Sequence, residues 1–360
     1  MDNDFTFLVQ LNPKQRDVCI SENNYVLTAC PGSGKTRTIT YRLAYLDKKY
    51  IPSRLLNIAI TYTNRAADEI YSRLDSMSID ESSIWTGTIH QFCMHFIIRP
   101  YAMYSEQLCH GYHIVDEFIK KQYLAEINSA LRIHATQSDL FSNPIIKAAY
   151  RERLRSNKEI DFDMILELSD TLLSEHPFIA ENISHIIRSI HVDEFQDTNA
   201  LQYSILAKIV QANKKINIMF VGDANQAIYS GLGGIAKTPE ELAHQFGVSF
   251  ETANLTGCYR STQRIIDYYS NFEVVPSTIE TSVYKGYKQD KIEMRGDRAE
   301  MSDFPLYLNT VAGGLDRRDQ TIGGFSFVVK IYALPVVEII GQLLYLLGRY
   351  GFNTQFGDCP

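Results

Sequence analysis

The sequence lacks the cysteine pattern that marks disulfide-rich or zinc-binding modules. Its six cysteines are scattered through 360 residues, and no two of them form a CxxC pair. Cysteines in this arrangement indicate free thiols, which are typical of a reducing compartment. Internal repeats and low-complexity tracts are also missing, which excludes solenoids and long linkers. We therefore expect a globular protein of the cytoplasm.

A segment that could cross a membrane is missing as well. The most apolar stretch, 332–347, is interrupted by Pro335, Glu338 and Gln342. It is shorter than the ~20 apolar residues that a membrane span needs, so it favours a buried helix. The N-terminus reads MDND and lacks the positive region of a signal peptide. We therefore predict that no membrane is involved.

Positively charged residues are fewer than negatively charged ones. Lys and Arg total 35 against 42 Asp and Glu, a formal net charge of −7, which excludes a uniformly basic DNA-binding protein. A local basic groove is compatible with this balance, because only the groove that contacts phosphates needs to be positive. Hydrophobic residues make up 45% of the chain and charged residues 21%, which excludes wholesale disorder.

Short apolar runs alternate with helical patterns through much of the chain. The apolar runs predict strands at 25–29, 56–62, 83–88, 187–192 and 217–221. Helical patterns follow the first two of these strands. Such alternation is typical of βαβ units, so we predict an α/β fold with a mostly parallel sheet.

One long segment interrupts this alternation. Between 92 and 186 the sequence is helix-forming, polar and aromatic, without strand-like runs. We predict a helical insertion there, which divides an α/β domain made of residues 1–91 and 187–270. The pattern becomes strand-like again over 271–360, with a strand at 325–331 ahead of the apolar helix. This part predicts an incomplete second α/β lobe, since it is too short for an independent domain.

A glycine-rich turn follows the first predicted strand. Residues 29–36 read ACPGSGKT and lead into a helical pattern, which is the context of a P-loop. The glycines let backbone amides turn toward phosphate oxygens, Lys35 brings charge to the β- and γ-phosphates, and the Thr36 hydroxyl can bind Mg²⁺. We predict that the nucleotide contacts Ala29, Cys30, Pro31, Gly32, Ser33, Gly34, Lys35 and Thr36.

An acidic pair follows the predicted strand at 187–192. The sequence continues as DEFQD, in which Asp193 would hold Mg²⁺ through water and Glu194 would orient and deprotonate the attacking water. Two adjacent carboxylates are a weak signal alone, because acidic turns are common. Beside a P-loop they become a strong one, and they predict that the nucleotide is hydrolysed.

Further motifs occur in a fixed order along the chain. They are LNPKQ at 11–15, TYTNRAADE at 61–69, GTIHQF at 87–92, IDFD at 160–163, DEFQDTN at 193–199, VGDANQAIY at 221–229 and YRS at 259–261. As a set, over about 8–270, they resemble the UvrD/Rep-type superfamily 1 DNA helicases. The resemblance implies a P-loop NTPase with a RecA-like parallel sheet, which uses ATP and Mg²⁺ to move 3′→5′ on single-stranded or duplex-junction DNA.

The resemblance also implies roles around the nucleotide. Gln15 would contact the adenine edge, and Arg37 and Tyr259 would enclose the adenine ring by cation–π and stacking contacts. Gln226 and Arg260 would contact the γ-phosphate, where Arg260 would stabilise the developing charge. The implied catalytic residues are therefore Lys35, Glu194, Gln226 and Arg260. Outside its motif, Gln15 would be more typical of a solvated surface position.

The single-strand path is implied in the same way. It would be lined by Tyr62, Thr63, Asn64, Thr88 and His90. A base stacked on the Tyr62 ring would contribute about 1–3 kcal/mol for any base, which suits a motor that moves along a strand. Without the resemblance, Tyr62 would as readily be a packing residue, and His90 a half-buried histidine with its hydrogen bonds satisfied.

The sequence departs from the family pattern in two places. Gly231 stands where a base-stacking ring is expected, and Leu232 replaces an arginine. We expect the lost stack to weaken the grip on the strand by about 1–3 kcal/mol. Residues 325–357 resemble only the opening of the family's second lobe. We therefore expect either a fragment of a longer polypeptide, which is favoured, or a naturally shortened member.

Three functional hypotheses remain open on these observations. The first is a helicase or translocase, and the second is a DNA-binding ATP switch that does not unwind DNA. The third is the motor subunit of a DNA repair, recombination or antiviral defence complex, in which any nuclease would be a partner protein. A basic cluster in the predicted insertion could be a phosphate contact or a solvated helix face; it comprises Arg151, Arg153, Arg155 and Lys158.

Overall fold

The computed structural model of the chain describes residues 3–51, 54–79, 81–133, 143–226, 234–270 and 278–282. The chain divides into two compact units. The first unit comprises Met1–Ala29 and Lys35–Leu255, and the second comprises Cys30–Gly34 and Thr256–Pro360. Three expected features lie outside the described residues: the Gly231 and Leu232 departure, the strand at 325–331 and the apolar helix that follows it.

Strands and helices alternate in the first unit. Its strands are β1 (Tyr25–Ala29), β2 (Leu56–Thr61), β3 (Ile84–Thr88), β4 (His113–Ile114), β5 (Glu159–Ile160), β6 (Ile187–Asp193), β7 (Asn217–Gly222) and β8 (Glu251–Leu255). Its helices are α1 (Pro13–Ile20), α2 (Lys35–Lys49), α3 (Asn64–Ser76), α4 (Ile89–Phe92), α5 (Arg99–Tyr101), α6 (Glu117–Leu131), α7 (Pro144–Asn157), α8 (Phe162–Glu175), α9 (Pro177–His185), α10 (Ala200–Ala212) and α11 (Pro239–Phe246).

Six of these strands form one parallel sheet in the order β3-β2-β6-β7-β1-β8. The predicted α/β fold with a mostly parallel sheet is therefore confirmed. The predicted strands occur where the apolar runs lie, because β2, β6 and β7 are buried along almost their whole length. Parallel pairing brings the carboxyl ends of all six strands to one edge, where ligands bind in open α/β sheets.

The segment between β3 and β6 is mainly helical, as predicted, but it also contains strands. His113 and Ile114 pair in parallel with Glu159 and Ile160 to form a second, two-stranded sheet. The expectation of no strand in this segment was therefore wrong. Pairs of two residues are too short to leave a hydrophobic pattern in the sequence. The division into a lobe and an insertion stays a prediction.

A charged side chain is buried in the first unit, between α2 and the start of β7. The Arg42 side chain on α2 is fully buried, and its guanidinium donates to the carbonyl oxygen of Val18, to that of Asn23 at 3.3 Å and to Asn217 Oδ1 at 2.7 Å. Burial lowers the pKa of Arg42 to about 10, so it remains charged at neutral pH. These bonds join α2 to the end of α1 and the start of β7.

The second unit is described over 30–34, 256–270 and 278–282. It contains β9 (Gly257–Cys258) and β10 (Glu280–Thr281), which pair in parallel, and α12 (Gln263–Tyr269). Its buried cluster consists of Cys30, Cys258, Ile266 and Ile279. In the part of the chain that the structure describes, no helix of either unit is long and apolar enough to span a membrane.

Candidate nucleotide and DNA site

The glycine-rich turn lies directly after β1, which ends at Ala29. Its backbone adopts positive φ at Gly32 (75°) and Gly34 (86°), conformations that glycine adopts without the strain of a Cβ. The Ser33 side chain is buried between them. Successive turns of this kind aim backbone amides inward, which is the arrangement that a bound phosphate requires.

Within the second unit, the chain after β9 packs closely on this turn. A Cβ on Gly32 would lie 2.6 Å from the Cβ of Arg260 and 3.1 Å from the sulfur of Cys258. The Tyr259 N–H donates to the Gly32 carbonyl oxygen at 2.8 Å, and the Cys258 thiol donates to that of Pro31 at 3.3 Å. The structure therefore brings Tyr259 and Arg260 to the predicted phosphate loop, as the family motifs imply.

In the first unit, Lys35 is paired with the predicted catalytic base. Its Nζ lies 2.9 Å from Glu194 Oε2 and 3.4 Å from Gln226 Oε1. The Lys35 side chain is 11% exposed and that of Glu194 31% exposed, so the pair is partly shielded from solvent. Three of the four predicted catalytic residues thus meet in this unit, and the fourth, Arg260, belongs to the second unit.

The predicted metal ligands are also neighbours. The Thr36 hydroxyl hydrogen-bonds to the carboxylate of Asp193, which is buried at the end of β6. Burial, together with the nearby charge of Glu194, raises the pKa of Asp193 to about 7, and the charge of Lys35 opposes this shift. A hydroxyl and a carboxylate are oxygen donors of the kind that Mg²⁺ takes beside substrate phosphates, so the two residues fit that ion.

Glu194 adopts an unusual backbone conformation. Its φ of 50° and ψ of 48° are left-handed, which costs a non-glycine residue about 1–3 kcal/mol. Two bonds support it: its N–H donates to Asp193 Oδ1 at 3.0 Å, and its carbonyl oxygen accepts from the Asp197 N–H at 3.0 Å. Backbone strain of this kind is common where a side chain must be aimed at a substrate.

A ring of hydrogen bonds passes through this base. Gln196 Nε2 donates to Glu194 Oε2 at 2.8 Å, and Gln196 Oε1 accepts from the Asp223 N–H at 3.0 Å. Asp223 Oδ2 in turn accepts from Gln226 Nε2 at 3.0 Å. The ring closes through Lys35, and we call it the Lys35 ring: Lys35, Glu194, Gln196, Asp223 and Gln226. Sequence patterns assigned no role to Gln196 or Asp223, although both lie inside matched motifs.

The end of β7 leaves room for this ring. A Cβ on Gly222 would overlap Gln196 Oε1 and would lie 2.6 Å from Cδ1 of Phe195. Real Cβ atoms do not approach other atoms so closely, so only glycine fits at this position beside the turn that carries Gln196. Glycine within a strand commonly marks such a close approach.

A cavity of about 340 Å³ opens beside the carboxylates. Its lining includes Tyr62, Thr88 and His90 together with the carboxylates of Asp193 and Glu194. Tyr62 is 48% exposed. The structure thus brings three of the five predicted DNA contacts to the same cavity as the predicted hydrolytic carboxylates.

The threonine hydroxyls among the residues predicted to contact DNA also serve local structure. Thr63 Oγ1 caps α3 by accepting from the Ala66 N–H at 3.2 Å, and Asn64 is the first residue of that helix. Thr88 caps α4 in a capping box with Gln91. Removing either threonine would therefore cost helix stability, typically about 1 kcal/mol, besides any DNA contact.

His90 has a mixed environment. Burial lowers the pKa of His90, which the charge of Asp163 partly opposes. It stands edge-on to the Phe162 ring at 6.0 Å between centroids. It is half-buried, as its alternative interpretation expected, and it lines the cavity, as its family motif implies.

Asp197 is a further carboxylate of the cavity to which sequence patterns gave no role. Burial and the charge of Glu194 raise its pKa to about 6, against the opposing charge of Lys35. Its Oδ1 is buried and has no hydrogen-bond partner among the described residues. A carboxylate with a raised pKa beside a proposed base is typical of a functional site.

Two of the residues predicted to surround adenine, Gln15 and Arg37, make hydrogen bonds to neighbouring residues. Gln15 is 1% exposed, and its Oε1 accepts from the Asn12 N–H at 3.2 Å, so the surface interpretation of Gln15 was wrong. Arg37 donates to the Gln10 carbonyl oxygen at 3.0 Å and lies 5.2 Å from the centroid of the Tyr41 ring. That Arg37 and Tyr259 enclose adenine stays a prediction.

The basic cluster near α7 is largely ion-paired. Arg151 contacts Glu167 at 2.6 Å, Arg153 contacts Glu126 at 2.8 Å, and Arg155 lies 3.6 Å from Glu152. Lys158 follows α7 in a left-handed conformation that ends the helix. These contacts favour a solvated, salt-bridged helix face over a phosphate-binding patch.

The parallel sheet, the glycine turn ahead of α2 and the Lys35–Glu194 pair at the sheet edge define a P-loop NTPase fold. The profile of the UvrD/REP helicase N-terminal domain family matches this chain over residues 11–143 and 119–247. The chain belongs to that family, and the resemblance to UvrD/Rep-type helicases is confirmed.

Named relatives agree with this assignment. The chain is 28% identical over 362 aligned residues to the ATP-dependent DNA helicase PcrA of Leuconostoc citreum, covering 90% of this chain and 47% of the relative. It is 31% identical to PcrA of Bacillus subtilis strain 168 (71% and 38%) and 31% identical to DNA helicase II of Escherichia coli K12 (73% and 40%). The chain therefore spans less than half the length of these relatives.

Proposed function

We propose that the chain is an ATP-hydrolysing motor of a DNA helicase or translocase, which moves 3′→5′ on single-stranded DNA. The observation that carries the proposal is the shared cavity, whose lining includes Tyr62 and His90 together with Asp193 and Glu194. A strand bound by Tyr62 and His90 would then lie in the same cavity as the proposed hydrolytic carboxylates. The printed names of the relatives, which are ATP-dependent DNA helicases, support the proposal.

The proposed chemistry is hydrolysis of the γ-phosphate. Mg²⁺, when bound, would neutralise charge on the phosphates, and Thr36 with Asp193 would hold it. Glu194 would take a proton from the attacking water, and Lys35 would contact the phosphate oxygens. By family resemblance, Gln226 and Arg260 would contact the γ-phosphate, and Gln15, Arg37 and Tyr259 the adenine.

The Lys35–Glu194 bond suggests how nucleotide would activate the base. In the structure, the Lys35 ammonium donates a hydrogen bond to Glu194 Oε2. Because a phosphate offers more negative charge than one carboxylate, bound ATP would draw Lys35 away from Glu194. The carboxylate would then lose a positive neighbour and become a stronger base.

The test is steady-state ATP hydrolysis by the 360-residue chain with and without single-stranded DNA. We expect DNA to stimulate hydrolysis and Glu194→Gln to lower it to a small residual rate while ATP binding is retained. A chain that binds neither ATP nor single-stranded DNA would contradict the proposal.

The Gly231 and Leu232 positions favour a second candidate, a DNA-binding ATP switch, because a base-stacking ring and an arginine are missing there. A switch would bind ATP and DNA with little turnover. A motor subunit of a repair, recombination or defence complex would hydrolyse ATP rapidly only when its partner protein is added.

We also propose that the chain is divided into a lobe (1–91 and 187–270), an insertion (92–186) and a second lobe (271–360). A cytoplasmic location belongs to the same proposal.

A further inference from the structure

Gln196 is a buried glutamine that contacts the proposed base. Its side chain is 2% exposed, in the short turn that joins β6 to α10. Its Nε2 donates to Glu194 Oε2, and its Oε1 accepts from the Asp223 N–H. A carboxylate only accepts hydrogen bonds and a backbone N–H only donates them, so this pair of contacts requires a side chain at residue 196 that both donates and accepts, as the Gln196 carboxamide does.

The two oxygens of the Glu194 carboxylate have different surroundings. Lys35 and Gln196 both donate to Oε2, at 2.9 and 2.8 Å. In the described part of the chain Oε1 accepts no hydrogen bond, so it is the oxygen open to a water proton. Once Lys35 turns to a phosphate, Gln196 is the side chain that still holds Oε2.

We infer that Gln196 is a positioning residue, which fixes Glu194 with Oε1 toward the attacking water and ties that carboxylate to Asp223. The inference rests on the proposed function, because Glu194 acts as a base only if the chain hydrolyses ATP. The water oxygen bonds to the γ-phosphorus as its proton passes to Oε1, and the bond from that phosphorus to the ADP oxygen breaks. Gln196 itself exchanges no proton.

Hydrogen bonds continue from Gln196 through Asp223 to Gln226. Asp223 accepts from the Gln226 amide at 3.0 Å, and Gln226 is the residue implied to contact the γ-phosphate. A movement of Gln226 would thus pass to Glu194 through two hydrogen-bonded groups. The close fit at Gly222 leaves the Gln196 amide no space on that side to turn away.

Two variants of the full chain separate the contacts of Gln196. Gln196→Met keeps the size and loses both bonds, whereas Gln196→Glu keeps the acceptor for Asp223 and places a like charge against Glu194. We expect both to lower kcat for DNA-stimulated ATP hydrolysis about 10²-fold, with Gln196→Glu at least as slow, and to leave KM for ATP within about threefold. A Gln196→Glu variant as active as the wild type would overturn the inference.

Gln211→Met is the matched control. Gln211 is also a hydrogen-bonded glutamine of the first unit, since its amide donates to the Gln245 carbonyl oxygen at 2.6 Å, but it lies outside the site. We expect this variant to keep the kcat of the wild type. Urea unfolding of each variant establishes that it is folded, and if one Gln196 variant is not, the other carries the test.

A double variant distinguishes positioning from a structural role. If Gln196 acts through Glu194, then Glu194→Gln combined with Gln196→Met should be no slower than Glu194→Gln alone. Losses that multiply in an active chain would overturn the inference and leave the proposed function standing. A wild-type chain that binds ATP but never hydrolyses it would overturn both.

Discussion

Two lysines of nearly equal exposure sit among acidic side chains in the first unit, and their surroundings differ. The Lys35 side chain is 11% exposed, and within the described part of the chain it forms an ion pair with one carboxylate, that of Glu194, and a longer contact to an amide at 3.4 Å. Lys120 on α6 is 10% exposed and lies within 3.5 Å of three carboxylates: those of Glu117, Asp161 and Asp163. The first arrangement leaves the ammonium able to exchange its partner, and the second fixes it.

The environment of Lys120 shows what a purely structural ion pair requires. Burial opposes its charge, but the hydrogen bond to Asp163 and the charges of the neighbouring carboxylates outweigh burial and raise the pKa of Lys120. Asp161 is itself bonded to the Tyr150 hydroxyl at 3.1 Å and caps α8. A phosphate placed beside Lys120 would meet three carboxylates, whereas beside Lys35 it would compete with one carboxylate and one amide.

The largest expected difference between the two lysines is in catalysis. Lys35→Met should lower the rate of DNA-stimulated ATP hydrolysis by about 10³-fold, because the γ-phosphate loses its positive contact. Lys120→Met, measured in the same assay at a temperature where it is folded, should retain a rate within about threefold of the wild type. Equal losses in the two variants would contradict the distinction.

For the free energy of unfolding, the larger effect is expected at Lys120. Lys120→Met should lower the free energy of unfolding by about 2–3 kcal/mol, because it leaves the buried Asp161 carboxylate without its cation. This is less than for a fully buried pair, since Asp163 is 75% exposed and Glu117 is 58% exposed. Urea unfolding measures this free energy. Lys35→Met should change the free energy of unfolding by less than about 1 kcal/mol.

Exposed groups of the cavity should affect DNA binding and leave folding unchanged. Tyr62→Ala should weaken single-stranded DNA binding by about 1–3 kcal/mol, measured by fluorescence anisotropy at fixed salt. Tyr104→Ala is the control, since that ring is 43% exposed but lies outside the cavity. If the two substitutions weaken binding equally, Tyr62 is not a base-stacking residue.

A further difference concerns pH. Asp193 has a pKa of about 7 in the folded chain and an ordinary one, near 4, when unfolded. Its contribution to stability is therefore fully present below about pH 4 and is lost as the pH rises through 7. Asp193→Asn should remove this loss, about 2–3 kcal/mol between pH 5 and pH 8, so the variant gains on the wild type over that range in urea unfolding.

Lys120 provides the contrast for this pH experiment. A raised lysine pKa contributes stability that is fully present below the unfolded value of about 10.5 and is lost as the pH rises through the folded one. The Lys120 ammonium therefore stays protonated in both states between pH 5 and pH 8 and adds no pH dependence over that range.

The central strands could be predicted because they are buried on both faces, which leaves continuous apolar runs in the sequence. β8 was not predicted. It is an edge strand in which Leu255 is the one buried residue, so its sequence, ETANL, has neither an apolar run nor a clean alternation. The two-residue strands β4 and β5 were missed for a related reason.

The candidate site was predictable wherever a role follows from a contiguous motif, as it does for Lys35 and Glu194. The role of Gln196 depends on the approach of Asp223, which is 27 residues away in sequence and adjacent only because β7 lies beside β6. The burial of Arg42 likewise depends on carbonyl oxygens from α1 and the turn after it. Strand order and backbone contacts of this kind leave no local pattern.

Gly222 has a consequence for genetics. It contacts neither nucleotide nor DNA in the proposed mechanism, yet every substitution adds a Cβ that would overlap Gln196 and crowd Phe195. A saturating mutational scan should therefore score all nineteen replacements at this position as loss-of-function alleles. Even alanine should lose function, as valine does, because its Cβ alone causes the overlap. Suppressors, if selected, should arise at residue 196 as smaller side chains that restore space without restoring full turnover.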